Sequence, residues 1–125
     1  MHDRIINYFT DRWNYLSPMS IPRRGAGAAV LNGLLYVAGG MNGVHLANVE
    51  CYNPDTDTWS IVANMNHPRY CLALISHEGA LYAIGGYGVN TSEVYHSDTD
   101  TWTVIDNGLD TKVSLCKHGA CLGIR

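Results

Sequence analysis

Two stretches of the chain repeat each other at an interval of 46 residues. Trp13, Met19, Pro22, Arg23, Gly33, Tyr36 and the pair Gly39-Gly40 return as Trp59, Met65, Pro68, Arg69, Gly79, Tyr82 and Gly85-Gly86. The interval then contracts by three, so that Glu50, Tyr52, Asp55 and Trp59 return as Glu93, Tyr95, Asp98 and Trp102. A period of this size marks an array of one supersecondary unit, which buries its apolar face only by stacking on a neighbour.

Each unit reads as β-structure. Residues 25–32 form a short apolar run of mostly small side chains, and Asn32-Gly33 follows. That dipeptide signals a hairpin, because a two-residue type I′ turn needs positive φ at both central positions. Leu34 to Ala38 is rich in strand formers and stops at the double glycine. A loop leads to a third strand, Ala47 to Tyr52. The cluster Asn53-Pro54-Asp55-Thr56-Asp57 turns the chain into a fourth, Thr58 to Val62. No segment carries a 3.6-residue apolar period, so almost no helix is expected. Four short antiparallel strands per unit match a propeller blade. Small residues suit the innermost strand, where blades crowd. Tyr36 and Trp59 are large enough to fill the space between blades and keep a polar atom for a hydrogen bond.

The composition is that of a globular chain, 46% hydrophobic and 15% charged, with a formal net charge of −3. That charge argues against a general nucleic-acid binder, which needs a basic surface. No apolar run is long enough for a membrane-spanning helix. The N-terminus Met1-His2-Asp3-Arg4 lacks the apolar core of a signal peptide, so a cytoplasmic or nuclear setting is expected. Cys51, Cys71, Cys116 and Cys121 show no zinc-ligand spacing and read as reduced structural thiols.

The order Arg-x-Gly-x-Gly, strand, Gly-Gly, Glu-x-Tyr-x-Pro-x-Thr-x-x-Trp runs from Arg23 to Trp59 and, with departures, from Arg69 to Trp102. It resembles the Kelch repeat. Residues 49–59 and Pro18-Met19 resemble in particular the kelch-like proteins, which join BTB and BACK domains to a six-bladed Kelch propeller. The resemblance implies an all-β partial Kelch propeller of two complete four-stranded antiparallel blades flanked by two partial ones. The expected divisions are 1–17 for the end of a preceding blade, 18–64 and 65–107 for the complete blades, and 108–125 for the start of a following blade. In the last segment, residues 117–124 resemble 23–30. Propellers close with about four to eight blades, so the chain is expected to be a piece of one. Assembly of several chains into one ring is the competing expectation.

In Kelch propellers the start of the first strand and the loop after the double glycine line one mouth of the channel, where the family's ligand pocket lies. The resemblance therefore assigns partner binding to Arg23 and Arg69, and to Met41 and Tyr87, which directly follow the double glycines. Arg-rich pockets of the family capture acidic peptide motifs, and the planar guanidinium fork suits carboxylates. Met41 departs from the Tyr or Arg frequent at its position, and Cys71 from the glycine of Arg-x-Gly. Met offers an adaptable apolar contact instead. Arg24 alternates to the other strand face. The alternative for Arg23, Arg24 and Arg69 is that they are solvated rim charges or pair with Asp55, Asp57 or Asp98.

Catalytic chemistry is not expected. The six histidines show no paired ligand spacing, and Asp55, Asp57, Asp98 and Asp100 recur as turn formers. The sequence thus points to a protein-interaction module with no cofactor and no metal, whose partner is a protein or an acidic peptide segment. The kelch-like resemblance implies a substrate adaptor of a cullin-type ubiquitin ligase, although cullin binding would need a BTB domain that these residues do not contain. A cytoskeletal, actin-associated scaffold and a short Kelch-only product that modulates a longer relative are the other readings.

Overall fold

The computed structural model describes the strands at 4–7 and 12–15 and all of residues 17–105; residues 108–125, expected to begin a following blade, lie outside them. Strands β1 (Arg4–Asn7) and β2 (Arg12–Tyr15) pair antiparallel, with Arg4 opposite Tyr15. Blade 1 contains β3 (Gly27–Leu31), β4 (Leu34–Ala38), β5 (Val49–Asn53) and β6 (Thr58–Val62). Blade 2 contains β7 (Ala73–His77), β8 (Ala80–Ile84), β9 (Ser92–His96) and β10 (Thr101–Ile105). Each blade is a four-stranded antiparallel meander in sequence order. The described residues contain no helix.

The hairpin signals act as read. Asn32 and Gly33 adopt φ of 54° and 77°, and Glu78 and Gly79 take the same place in blade 2 at 49° and 79°. The third strand of blade 1 differs from expectation: it begins at Val49, not Ala47. Asn48 accepts from the Gly39 amide, the next step of the β4–β5 register, whereas Ala47 accepts from the Met65 amide, in the segment that leads into blade 2. The three-residue contraction of the repeat falls in this same loop, 41–48 in blade 1 against 87–91 in blade 2.

The two blades pack face to face around one core. Blade 1 contributes Leu31, Tyr36, Ala38, Val49 and Cys51, and blade 2 contributes Leu72, Leu74, Leu81, Ala83, Tyr95 and Trp102. Period-two alternation along each strand selects these sets. Tyr36 and Tyr95 meet across the interface, ring centroids 5.6 Å apart at 56°, an inclined geometry that aromatic quadrupoles favour. The small first strand does what crowding requires: a Cβ built on Gly27 would lie 2.8 Å from Leu74 Cβ. A second cluster on the far side of blade 1 gathers Leu35, Val37 and Tyr52 with Met19, Ala28 and Trp59.

The recurring tryptophans have a common task. Trp59 Nε1 donates to the Ser17 carbonyl and Trp102 Nε1 to the Ala63 carbonyl. Each tryptophan ties the outer strand of its blade to the segment leading into that blade.

Candidate partner-binding rim

The loops after the double glycines stand beside the segments that lead into β3 and β7. Backbone hydrogen bonds fix that placement twice. Arg24 and Met41 exchange both amides, with N···O distances of 3.2 and 2.8 Å, and the Tyr87 amide donates to Tyr70 O at 2.7 Å. Gly39, at φ 70°, makes the close approach possible: a Cβ there would lie 2.4 Å from the Arg69 carbonyl oxygen. The Gly40 amide donates to that same oxygen at 2.8 Å.

The structure corrects the assignment of Arg23 and Arg69 to the binding rim. Both side chains are completely buried. Arg23 Nη1 donates to the carbonyls of Gly39 and Asn48, both at 2.9 Å, and Nη2 to Glu50 Oε2 at 2.8 Å. Arg69 repeats this with Gly85 O at 2.8 Å, Thr91 O at 2.7 Å and Glu93 Oε2 at 3.0 Å. Burial lowers the Arg69 pKa, and Glu93 partly offsets the shift. The guanidinium fork satisfies loop carbonyls that would otherwise be buried without donors. Added blades could only cover these groups further, so neither arginine offers its charge to a ligand. The partners are Glu50 and Glu93, not the Asp55, Asp57 or Asp98 weighed from sequence.

The two glutamates complete the frame. Glu50 Oε1 accepts the Ser20 amide at 3.0 Å, and Glu93 accepts the amides of Asn66 and His67 at 2.7 and 3.0 Å. Each Arg–Glu pair thus binds the third strand of a blade to the segment that precedes the blade.

Among the described residues the exposed Arg is Arg24, one residue on from the buried Arg23. With Pro22, Met41, Asn42, Gly43 and the Arg23 backbone it borders an open depression of about 380 Å³. Val44, next to Gly43, and Tyr87, in the equivalent loop of blade 2, are 66% and 67% exposed. Tyr70, the blade 2 counterpart of Arg24, covers Gly25, where a Cβ would come 2.3 Å from its Cε1. Its ring stacks on His45 at 5.3 Å and 33°, closing the seam between the blades at the rim. Of the four residues singled out from sequence, Met41 and Tyr87 stand at this rim and Arg23 and Arg69 beneath it. From sequence Arg24 was set aside because it alternates to the other strand face, and Tyr70 was not singled out.

Among the described residues, no group of three or more His, Cys, Asp or Glu could hold a metal ion. Cys51 is a buried thiol whose pKa burial raises, next to Tyr36, whose hydroxyl burial pushes up to about 12.

Comparison with known proteins bears on the same segments. The Kelch motif matches residues 22–66 and 68–107. Kelch-like protein 28 of Homo sapiens is 42% identical over 96 residues, which cover 68% of this chain and 17% of that protein. Kelch-like ECH-associated protein 1A of Danio rerio is 45% identical over 84 residues, covering 63% and 14%. The influenza virus NS1A-binding protein of Homo sapiens is 47% identical over 72 residues, covering 57% and 11%. The chain therefore spans less than a fifth of the length of these relatives. The solved structure of YjhT superposes with a TM-score of 0.68 at 20% identity, over 78% of this chain and 42% of that one, a likeness of fold.

Proposed function

This chain belongs to the Kelch-repeat family, and we propose that it forms part of a propeller that recognises a segment of a partner protein at the rim of Arg24, Met41, Tyr70 and Tyr87. The exposure of Arg24 beside the open depression and of Tyr87 in the equivalent loop of blade 2, while Arg23 and Arg69 are locked beneath, carries this reading. Exposed Tyr and Arg are the side chains that most often anchor protein interfaces. The ligand chemistry shifts accordingly. One guanidinium suits one carboxylate, and Met41, Val44 and Tyr87 suit apolar side chains beside it. An acidic peptide motif is accommodated if it also carries such apolar residues.

The similarity to kelch-like proteins supports a role, within a longer protein, as the substrate-recognition part of a cullin-type ubiquitin-ligase adaptor. The test is quantitative co-purification from cells, using the parent-length protein with Arg24→Glu and Tyr87→Ala. Partners retained by an Asp55→Asn control and lost at least tenfold by the double variant are the ones the rim holds. If every partner is retained by both proteins, the rim assignment fails.

A further inference from the structure

Two Asn-Gly dipeptides lie among the described residues, Asn32-Gly33 and Asn42-Gly43. Both are exposed, and a Cβ built on either glycine would meet nothing within 4 Å. The dipeptide has a chemistry of its own. The backbone nitrogen that follows an asparagine attacks the side-chain carboxamide, and glycine leaves that approach unhindered because it has no Cβ. A bond forms from the glycine nitrogen to Cγ, and the Cγ–Nδ2 bond breaks. The amide proton of the glycine leaves with the departing ammonia, and a cyclic succinimide remains. Water then opens the ring at either carbonyl, giving aspartate or its isomer linked through the side-chain carboxyl carbon. No electrons are exchanged; the sum is carboxamide plus water to carboxylate plus ammonium.

The backbone decides which asparagine reacts, because the peptide unit between the two residues must turn toward Cγ. Asn32 is held against that turn. It sits at φ 54° in a two-residue hairpin loop whose flanking residues, Leu31 and Leu34, are ladder partners, so rotation there breaks their pairing. Asn42 is not held in this way. It begins the three-residue tip 42–44 beyond the isolated bridge of Met41 with His45. Its backbone amide donates to Val44 O at 3.0 Å. Its carboxamide and the Gly43 amide have no hydrogen-bond partner among the described residues. The base of the tip is fixed, since Arg24 and Met41 exchange amides. Asn42 therefore stays at the edge of the depression that Arg24 also borders. The equivalent loop of blade 2 lacks the dipeptide: Asn90 is followed by Thr91, whose branched side chain crowds the attacking nitrogen.

We propose that Asn42 is a site of spontaneous deamidation, and that the carboxylate so formed engages Arg24 and closes the rim to acidic ligands. A carboxylate on the neighbouring loop competes for the guanidinium intramolecularly, at an effective concentration that a free ligand does not reach. The isomer also lengthens the main chain by one carbon at the tip, which displaces Gly43 and Val44 from their present places. The closing of the rim rests on the functional reading given above; the modification of Asn42 does not.

Peptide mapping of the full chain after incubation in mildly alkaline buffer tests the modification, each asparagine being read by the mass gain of amide-to-acid conversion. In urea Asn32 and Asn42 convert at similar rates, since both precede glycine. In the folded chain Asn32 is slowed at least about tenfold, because its ladder pair has to open first, whereas Asn42 keeps close to its denatured rate. Slowing of Asn42 as great as that of Asn32 overturns the proposal. The closing of the rim is tested in the parent-length protein by co-purification. Partners that Arg24→Glu with Tyr87→Ala releases are also released by Asn42→Asp and retained by Asn42→Gln. Their retention by Asn42→Asp overturns the closing. If Arg24→Glu with Tyr87→Ala releases no partner, the rim reading is what fails, and the closing of the rim falls with it, while the mapping alone decides the modification of Asn42.

Discussion

Arg69 Nη2 lies 3.0 Å from Glu93 Oε2 with both side chains fully withdrawn from solvent, and Arg23 with Glu50 repeats the pair one blade earlier at 2.8 Å. A buried pair of this kind is costly to break, because the survivor is left as an uncompensated charge. Arg69→Ala is expected to destabilise the fold by about 3–5 kcal/mol. Glu93→Ala should cost a similar amount, since it also strips acceptors from the Asn66 and His67 amides. The double variant should cost clearly less than the two losses added. Urea titration of the three variants measures this coupling, and simple additivity would show that the pair is not a unit.

Cys71 occupies the left-handed region that glycine fills at the equivalent position 25. A side chain there costs roughly 1–2 kcal/mol. Cys71→Gly is therefore expected to stabilise the chain by about 1 kcal/mol, the relief of strain being partly offset by the added freedom of the unfolded state. The reverse change fails on two counts, because a Cβ on Gly25 meets both positive φ and the Tyr70 ring. Gly25→Ala should lower the urea midpoint and Cys71→Gly should raise it.

Stability at alkaline pH follows from Tyr36 and Tyr52. Burial, aided by Cys51, pushes the Tyr36 hydroxyl up to about 12, and burial, aided by the Asp57 carboxylate, does the same for Tyr52. In the unfolded chain both titrate near their ordinary value of 10. Between the two values the unfolded state has lost protons that the folded state keeps, so stability falls as pH rises. The contribution is intact below pH 10 and lost by about pH 12. Urea midpoints measured from pH 8 to 12 should fall over that window, and Tyr36→Phe should flatten the fall. A midpoint that stays level to pH 12 would contradict the shift.

The blade was legible from sequence because its signals are local. Asn32-Gly33 fixes a turn by φ alone, and the continuous apolar run Leu34 to Ala38 marks a strand buried on both faces, Tyr36 and Ala38 in one cluster and Leu35 and Val37 in the other. The rim was misread because the fate of a charge depends on partners far along the chain. Arg23 meets Glu50 and Arg69 meets Glu93 only once three strands are in place. The recurrence of a glutamate one residue into the third strand, in Val49-Glu50-Cys51 and Ser92-Glu93-Val94, was the available sign. A carboxylate repeated inside a buried strand requires a cation, and the repeated arginines were the candidates. With them spent on the frame, alternation passes the rim to Arg24 and Tyr70.

Asp100 joins two tasks that substitution can separate. Its Oδ1 accepts the Tyr95 hydroxyl at 2.8 Å and the Ala63 amide at 2.9 Å, and its backbone is left-handed at φ 54°. Asn tolerates that conformation and keeps a carbonyl oxygen as acceptor. Asp100→Asn should therefore cost less than about 1 kcal/mol. Glycine keeps the conformational freedom but loses both hydrogen bonds, for a cost of about 1–3 kcal/mol. Alanine loses the bonds and adds strain at positive φ, about 1–2 kcal/mol more. The expected order of urea midpoints is wild type, Asn, Gly, Ala. Should Gly and Ala prove equal, the left-handed backbone contributes nothing and the hydrogen bonds alone account for the aspartate. Should Asn match Gly, the acceptor is dispensable and the turn conformation is what position 100 requires.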